Sequence, residues 1–251
     1  MPWQEPWPLK LRRRATKLYM RLSRRRGYFV TRYLGASFLV PPRGIGTLEL
    51  AAKTWERPEL QHLMERCASL KPDLFIDVGA NIGVYTCVLL KNGSVLRALL
   101  FEPDRENLVS LRANLLINGL TSQAEVHELA LGEENAQFAL FPGATAKEDY
   151  RDADGGSSMV IESDAAGEFS YPVKVAPFDD RFAISGQTLA IKMDVEHYEC
   201  RALSGMKRTL RENRCVVQVE TYMMREQVIG LMSGLGYKIA REFFPNIVFE
   251  N

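Results

Sequence analysis

The sequence predicts an α/β fold built around a mainly parallel sheet with helices on both faces. From Leu74 onward, short apolar runs typical of buried strands alternate with helical patterns. Four of these strands end in an acidic residue: Asp77, Glu102, Asp194 and Glu220. Repeated β-α units bring the carboxyl ends of parallel strands to one edge, where open sheets of this kind bind ligands. We therefore expect the four carboxylates to lie at that edge.

The individual elements follow from apolar periodicity and from helix-capping residues. A helix is predicted between Asp104, as its N-cap, and Gly119 near its end, and Gly93 closes an earlier one. The polar segment 142–172, which includes the GGSSM serines, is predicted to be a disordered or functional loop. We predict strands at 74–78, 95–102, 124–129, 137–141, 173–176, 189–194, 215–220, 238–241 and 247–250, and helices at 9–26, 47–70 with an interruption near Pro58, 84–91, 199–211 and 226–235.

The composition suits one globular domain with a basic arm. The chain has 251 residues, 46% of them apolar, and a net charge of +1. Between Lys10 and Arg32 there are ten Lys or Arg residues and no acidic one. We therefore predict an arm at 1–45 and a domain at 46–251. An anionic partner or membrane surface suits this arm, nucleic acid is a weaker alternative, and a solvated helix packing its apolar face on the domain is the simplest interpretation.

Cysteine usage and apolar run lengths predict a cytoplasmic protein with, at most, peripheral membrane contact. The four cysteines, Cys67, Cys87, Cys200 and Cys215, form no C-x-x-C pair, which speaks against a disulfide framework or a zinc knuckle. There is no apolar run of spanning length and no signal-peptide pattern at the N terminus.

The stretch LFIDVGANIGVYT, residues 74–86, places two glycines directly after a predicted strand. Gly79 and Gly83 permit tight turns and a close approach of a ligand to the backbone. The spacing D-x-G-x-x-x-G differs from the G-x-G-x-x-G of dinucleotide-binding proteins, which disfavours a nicotinamide dehydrogenase. The carboxylate of Asp77 beside the turn suits a cationic or amino group better than a phosphate. The alternative is a strand-to-helix turn without a ligand.

Glu102 ends the next strand, 25 positions after Asp77. An acidic residue at about this distance from a glycine turn typically accepts hydrogen bonds from ribose hydroxyls. The alternative is a carboxylate that is favoured at a helix N terminus, with Pro103 starting the helix.

The segment IKMDVEHYE, residues 191–199, gathers several ionisable side chains at a strand end. Strand alternation sends Asp194 and Glu196 to one side. Histidine is a common general base near neutral pH, which makes His197 a candidate, although a lone histidine is often structural. A divalent metal ion bound by Asp194, Glu196 and His197 is compatible with these side chains but is not expected, because such sites have no fixed spacing.

The motifs IDVGANIGVYT, FEPD, ALG and IKMDVE occur in this order along the chain. Together they resemble the motifs of the FkbM-type family of S-adenosylmethionine-dependent methyltransferases, over roughly Leu70 to the C terminus. The resemblance implies a Rossmann-like class I methyltransferase fold, with a seven-stranded, mostly parallel sheet and an antiparallel C-terminal strand; here a helical N-terminal extension precedes it. It also implies methyl transfer from S-adenosylmethionine, which leaves S-adenosylhomocysteine, to a hydroxyl group of a sugar, glycolipid or secondary metabolite.

The resemblance also implies roles for individual residues. Glu102 would hold the ribose, Ala130 and Leu131 would flank the adenine, and Asp194 and Glu196 would face the methyl group and its acceptor. The residues implied for cofactor binding are Asp77, Gly79, Ala80, Asn81, Gly83, Tyr85, Thr86, Glu102, Pro103, Asp104, Ala130 and Leu131.

Two departures from the family pattern concern the acceptor side. Family members often have glycine after D-V-E, where this chain has His197, and many have a histidine shortly after the next strand's carboxylate, where Glu220 is followed by Thr221 and Tyr222. Our hypothesis is that His197 is the base, so that the predicted catalytic residues are His197, Asp194 and Glu196. An RNA or protein methyltransferase using the arm, and a non-catalytic S-adenosylmethionine-binding module, remain as alternatives.

Overall fold

The computed structural model describes residues 28–41, 49–50, 52–142, 158–161 and 170–251. The predicted helix at 9–26 and most of the polar segment 142–172 lie outside these residues. Within the described part of the chain, none of the helices combines the length and the apolar character that a membrane crossing requires.

The described residues form thirteen strands and seven helices. The strands are β1 (Phe29–Tyr33), β2 (Ala36–Val40), β3 (Leu74–Val78), β4 (Ala98–Phe101), β5 (Ala124–His127), β6 (Ala130–Leu131), β7 (Ala136–Pro142), β8 (Ser158–Ile161), β9 (Tyr171–Ala176), β10 (Thr188–Met193), β11 (Arg214–Glu220), β12 (Lys238–Phe243) and β13 (Asn246–Glu250). The helices are α1 (Arg57–Leu70), α2 (Val84–Lys91), α3 (Arg105–Asn118), α4 (Phe178–Arg181), α5 (Glu199–Ser204), α6 (Lys207–Glu212) and α7 (Arg225–Gly234).

A seven-stranded sheet with the order β12-β13-β11-β10-β3-β4-β5 forms the centre of the domain. Only β13 runs antiparallel to its neighbours β11 and β12, while the other pairings in this sheet are parallel. The predicted fold class is therefore confirmed. The chain winds outward from β3 through β4 and β5, then returns to β10 on the other side of β3. The order reverses between β3 and β10, which is where such sheets open a crevice.

Alternating side chains of the central strands fill two cores, one on each face of the sheet. Phe75, Ala190 and Val216 point into the first core, which is covered by the hairpin β1–β2 and by α1, α2 and α3. Ile76 and Ile191 point into the second core, which is covered by α4, α5, α6 and α7. Successive side chains of a strand point to opposite faces of the sheet. Because both faces are buried here, the sequences of these strands are continuous apolar runs.

Capping residues set the bounds of the helices that the sequence predicts best. The Asp104 side chain accepts hydrogen bonds from the backbone N–H groups of Glu106 and Asn107 at the start of α3, and Gly119 ends this helix in a left-handed conformation. The predicted helix at 199–211 is divided into α5 and α6 around Gly205. A Cβ atom at Gly205 would lie 1.9 Å from the carbonyl oxygen of Gly132, so the chain passes too close to β6 for a side chain there.

The hairpin β1–β2 is an element that the sequence did not predict. Tyr33 and Phe38 are buried in the first core. The side chain of Asn114 accepts a hydrogen bond from the Leu39 N–H at 2.6 Å, and Asn118 binds the same strand of the hairpin. The folded unit therefore includes residues of the predicted arm, whose boundary was expected after residue 45.

A second sheet with the order β6-β9-β7-β8 extends from the end of β5. Strands β7 and β9 match the predicted strands at 137–141 and 173–176, whereas β8 lies within the segment that we predicted to be a loop. This sheet leads the chain from the far edge of the central sheet back to β10.

Candidate active site

A cleft of about 620 Å³, open to solvent, lies at the carboxyl ends of β3, β4 and β10. The structure thus brings the ends of three strands together as the sequence predicted. The cleft is lined by Val78, Gly79, Asn81, Phe101, Glu102, Pro103, Asn107, Ala130, Leu131, Asp194, Val195, Glu196 and Tyr198.

The turn after β3 forms the floor of the cleft and joins two neighbouring strands. The N–H of Gly79 donates to the carbonyl oxygen of Phe101 at 2.9 Å, and the N–H of Asp194 donates to that of Val78 at 2.9 Å. Gly79 has a φ of +76°, and a Cβ atom there would lie 1.8 Å from the Asp194 carbonyl oxygen. The glycine is therefore needed both for the left-handed conformation and for the close contact with the end of β10.

Glu102 presents a buried carboxylate to the cleft. One oxygen accepts the N–H of Asn81 at 2.7 Å and the other accepts the N–H of Asp104 at 2.7 Å. The side chain of Asn107 also hydrogen-bonds to this carboxylate. Because a carboxylate has about four acceptor positions, Glu102 can still accept a hydrogen bond from a ligand. Burial raises the pKa of the Glu102 carboxyl to about 7, although the two backbone N–H groups oppose this rise.

Asp77 does not line the cleft and lies buried beneath the glycine turn. It accepts a hydrogen bond from the hydroxyl of Thr86 at 2.5 Å, which fixes α2 against the end of β3. Burial raises the pKa of the Asp77 carboxyl to about 6, against the opposing effects of the Thr86 hydrogen bond and the Lys192 charge. Of the residues implied for cofactor binding, those outside the lining are Asp77, Ala80, Gly83, Tyr85, Thr86 and Asp104.

The raised pKa of Asp77 predicts how its contribution to stability varies with pH. A folded-state pKa of about 6, above the ordinary value of 3.8, means that the folded protein retains a proton that the unfolded chain has lost. Wild type should therefore lose about 2 kcal/mol of stability relative to Asp77→Asn as the pH rises from about 4.5 to about 7.5. Urea denaturation of both proteins at the two pH values measures this difference. If the free energy of unfolding of wild type, relative to that of Asp77→Asn, stays constant or increases with rising pH, the raised pKa of Asp77 is contradicted.

An acidic cluster (Glu56, Asp194 and Glu220) lies beside the cleft around the buried ammonium group of Lys192. In the described part of the chain, one carboxylate oxygen of each of these three residues lies within 4.8 Å of the corresponding oxygens of the other two. Lys192 Nζ lies 3.5 Å from Glu56, 3.5 Å from Glu220 and 4.0 Å from Asp194. The cluster therefore has a lysine as its counter-charge, and a metal ion there would be repelled by the ammonium group.

Comparisons with known proteins agree with this architecture. The sequence profile of the Methyltransferase FkbM domain matches residues 77–239, which is more than half of the chain. The chain belongs to the FkbM methyltransferase family. The family assignment agrees with the resemblance that we drew from the motifs.

Several solved structures are similar to this chain. The FkbM methyltransferase of Methylobacillus flagellatus KT is similar with a TM-score of 0.51 and 20% identity, over 82% of this chain and 54% of that protein. An rRNA methylase of Streptococcus thermophilus is similar with a TM-score of 0.45 and 10% identity, over 75% of this chain and 92% of that protein. The tRNA methyltransferase TrmK of B. subtilis is similar with a TM-score of 0.42 and 11% identity, over 76% of this chain and 63% of that protein. Our chain thus spans about half the length of the M. flagellatus protein. Curated protein sequences gave no significant match.

The backbone at His197 has a conformation that favours glycine. His197 has a φ of +72° and Glu196 a φ of +47°, and this left-handed region favours glycine. The His197 side chain is exposed and does not line the cleft. The backbone N–H of His197 donates to Glu199 Oε1 at 2.9 Å. The structure therefore brings Asp194 and Glu196 together at the cleft but places the predicted base, His197, outside it.

Three groups of site residues were missed from the sequence. Phe101 and Val195 each adjoin a predicted residue at a strand end, so the position alone could have indicated them. Tyr198 and Asn107 line the cleft from the starts of helices, and nothing in the sequence pattern marks them. Glu56 reaches the acidic cluster from the segment before α1, about 140 residues away from Asp194 in sequence, and only the tertiary structure shows this.

Proposed function

We propose that this FkbM methyltransferase transfers a methyl group from S-adenosylmethionine to a hydroxyl oxygen of a small molecule, such as a sugar, glycolipid or secondary metabolite. The observation that carries the proposal is the pairing, in one cleft, of Glu102 at the end of β4 with the acidic residue Asp194 at the end of β10. The first suits a nucleoside and the second suits a hydroxyl group.

The residues of the cleft fit S-adenosylmethionine. The carboxylate of Glu102 suits a ribose hydroxyl, and the apolar side chains of Phe101, Ala130 and Leu131 suit the faces and edges of adenine. Gly79 leaves the floor without a side chain, so the amino-acid part of the ligand can approach the backbone. When bound, S-adenosylmethionine supplies a methyl group that is activated by the positive charge on sulfur.

The residues of this chain then have three tasks. They hold the acceptor oxygen in line with the methyl group, since alignment supplies much of the acceleration in such a transfer. Once the cofactor and the acceptor fill the cleft, the apolar part of its wall shields the reacting atoms from water. They also remove the hydroxyl proton, because a neutral alcohol is a weak nucleophile. Asp194 lines the cleft and is the proposed proton acceptor, with Glu196 beside it to orient the acceptor.

The position of Asp194 makes this proposal testable against the hypothesis that His197 is the base. With a panel of sugars, glycolipids and hydroxylated metabolites as acceptors, Asp194→Asn should lower the rate of S-adenosylhomocysteine formation by roughly 100-fold or more, because the proton acceptor is lost. His197→Ala should leave this rate within about twofold of wild type. Mass spectrometry of the product then shows whether the methyl group is on oxygen.

The opposite pattern, with His197→Ala inactive and Asp194→Asn active, would restore His197 as the base. Products methylated on nitrogen or carbon would refute transfer to a hydroxyl group. Most of the basic segment, residues 1–27, lies outside the described residues. The anionic or membrane partner of the arm and the cytoplasmic location remain predictions.

A further inference from the structure

Lys192 is a charged side chain buried in the central sheet. Its side chain is 3% exposed, and its neighbours in register are Asp77 on β3 and Gln218 on β11. These three residues form a polar layer at the carboxyl end of a face that is otherwise apolar. Burying an ammonium group is costly unless anionic and hydrogen-bonding partners surround it, so its surroundings determine what it does.

The surroundings of Lys192 carry more negative charge than one lysine neutralises. Its Nζ lies 3.5 Å from the carboxylates of Glu56 and Glu220 and 4.0 Å from that of Asp194. The Nζ also donates to Asn246 Oδ1 at 3.1 Å. Of the three carboxylates in the acidic cluster, only Asp194 lines the cleft. The ammonium group thus contacts, from behind, the one acidic side chain of the cluster that faces the acceptor.

We propose that Lys192 is a positioning residue that holds the carboxylate of Asp194 against the cleft and keeps it able to accept a proton from the acceptor. The link to the acceptor rests on the proposed function, whereas the charge arrangement itself does not. Lys192 contacts neither the cleft nor the acceptor and acts entirely through Asp194.

The charges around Asp194 come from several elements and act in opposite directions. Desolvation raises the pKa of Asp194 well above its ordinary value; Lys192 lowers it, and Glu220, Glu56 and Glu196 raise it further. Asp77 on β3 and Glu59 on α1 also interact electrostatically with Lys192. A proton acceptor works best when its pKa is near the working pH, so the balance between Lys192 and its anionic neighbours sets the basicity of Asp194.

Glu56 is the member of the acidic cluster that lies outside the matched FkbM domain, residues 77–239. The hydroxyl of Tyr85 donates to Glu56 Oε2 at 2.8 Å and in turn accepts from Gln218 Nε2 at 2.6 Å. These bonds hold the Glu56 carboxylate beside Lys192, although its φ of +33° is unfavourable for glutamate. Glu56 therefore provides a charge of opposite sign to Lys192 in the same cluster.

The test measures the titration of Asp194 by NMR in protein labelled with carbon-13 at the aspartate side-chain carboxyl. The signal of Asp194 is assigned by its absence from Asp194→Asn. Lys192→Met should move the titration midpoint of this signal to higher pH, because a positive charge is removed. Glu56→Gln should move it to lower pH, because a negative charge is removed. Neither S-adenosylmethionine nor an acceptor is needed, so the result does not depend on the proposed function.

A structural role alone would not give shifts of opposite sign. Midpoints that stay at the wild-type value, or that move in the same direction in both variants, would overturn the proposal. If Lys192→Met alone lacks a cooperative thermal transition, the double variant Lys192→Met/Glu56→Gln, which removes one charge of each sign, replaces it. Its midpoint should lie above that of Glu56→Gln, and an equal or lower midpoint would also overturn the proposal.

Discussion

Replacing Gly79 by alanine is expected to destabilise the domain by at least about 3 kcal/mol and to abolish cofactor binding. The new Cβ atom would lie 1.8 Å from the carbonyl oxygen of Asp194 and 2.9 Å from its carbonyl carbon. Both are backbone atoms of a central strand end, so neither can rotate away. Relieving the clash would separate the turn after β3 from the end of β10, and both line the cleft.

Gly93→Ala is the matched control for this substitution. Gly93 also has a left-handed conformation, with a φ of +67°, but no atom lies within 4 Å of the position that a Cβ atom would take. Its replacement should cost only about 1 kcal/mol, the strain of a left-handed alanine. Urea denaturation of the two variants separates backbone strain from the clash. Equal losses in both would show that Gly79 is not in close contact with β10.

Replacing Glu102 by glutamine is expected to weaken binding of S-adenosylhomocysteine by roughly 10- to 100-fold. A hydrogen bond to a charged group contributes about 1.5–3 kcal/mol, and the substitution removes the charge that two ribose hydroxyls would share. Glutamine also retains only one side-chain oxygen for the N–H groups of Asn81 and Asp104, which now bind one carboxylate oxygen each. Titration calorimetry with S-adenosylhomocysteine measures the effect.

Glu212→Gln provides the control for this loss of charge. Glu212 is an exposed glutamate at the end of α6, before β11 begins and therefore at the opposite edge of the sheet from the cleft. Its replacement should leave the affinity within about twofold of wild type, as is usual for a remote surface position. Unchanged affinity in a folded Glu102→Gln protein would exclude Glu102 from the binding site.

Local signals in the sequence were sufficient for most of the central sheet and its helices. Asp104 and Gly119 predicted the two ends of α3 because a cap acts within one turn of its own helix. The hairpin β1–β2 was missed although Tyr33, Phe38 and Val40 alternate with less buried residues across the Leu34–Gly35 turn. The strong positive charge upstream favoured a boundary after residue 45, and the contacts with α3 that bury the hairpin are long-range.

Some residues of the site could be predicted from local sequence signals, whereas others are recognised only from the tertiary structure. Glu102 and Asp194 were predicted because strand ends of parallel units converge by topology. Asp77 is buried beneath the turn rather than exposed to the cleft, because strand alternation points it to the face that α2 covers. The exposure of His197 depends on its left-handed conformation. The contact of Glu56 with Lys192 depends on how α1 docks on the sheet. Neither property has a signal in a single sequence.

The charged residues around Lys192 come from two different parts of the fold. The sheet supplies Lys192, Asp194 and Glu220 from two adjacent strands, while the segment before α1 supplies Glu56. In our proposal two functions are separated along the cleft: Glu102 accepts hydrogen bonds from the ribose at one end, and Asp194 accepts the proton of the acceptor at the other. Only the second depends on residues outside the matched domain.

A crystal structure with S-adenosylhomocysteine tests the central claim most directly. We predict that the ribose hydroxyls donate to the carboxylate of Glu102, that the adenine lies against Phe101 and Leu131, and that the amino-acid part lies over Gly79 with the sulfur on the side of Asp194. A ligand bound elsewhere, or one that leaves Glu102 uncontacted and its sulfur remote from Asp194, would contradict this assignment of the cleft.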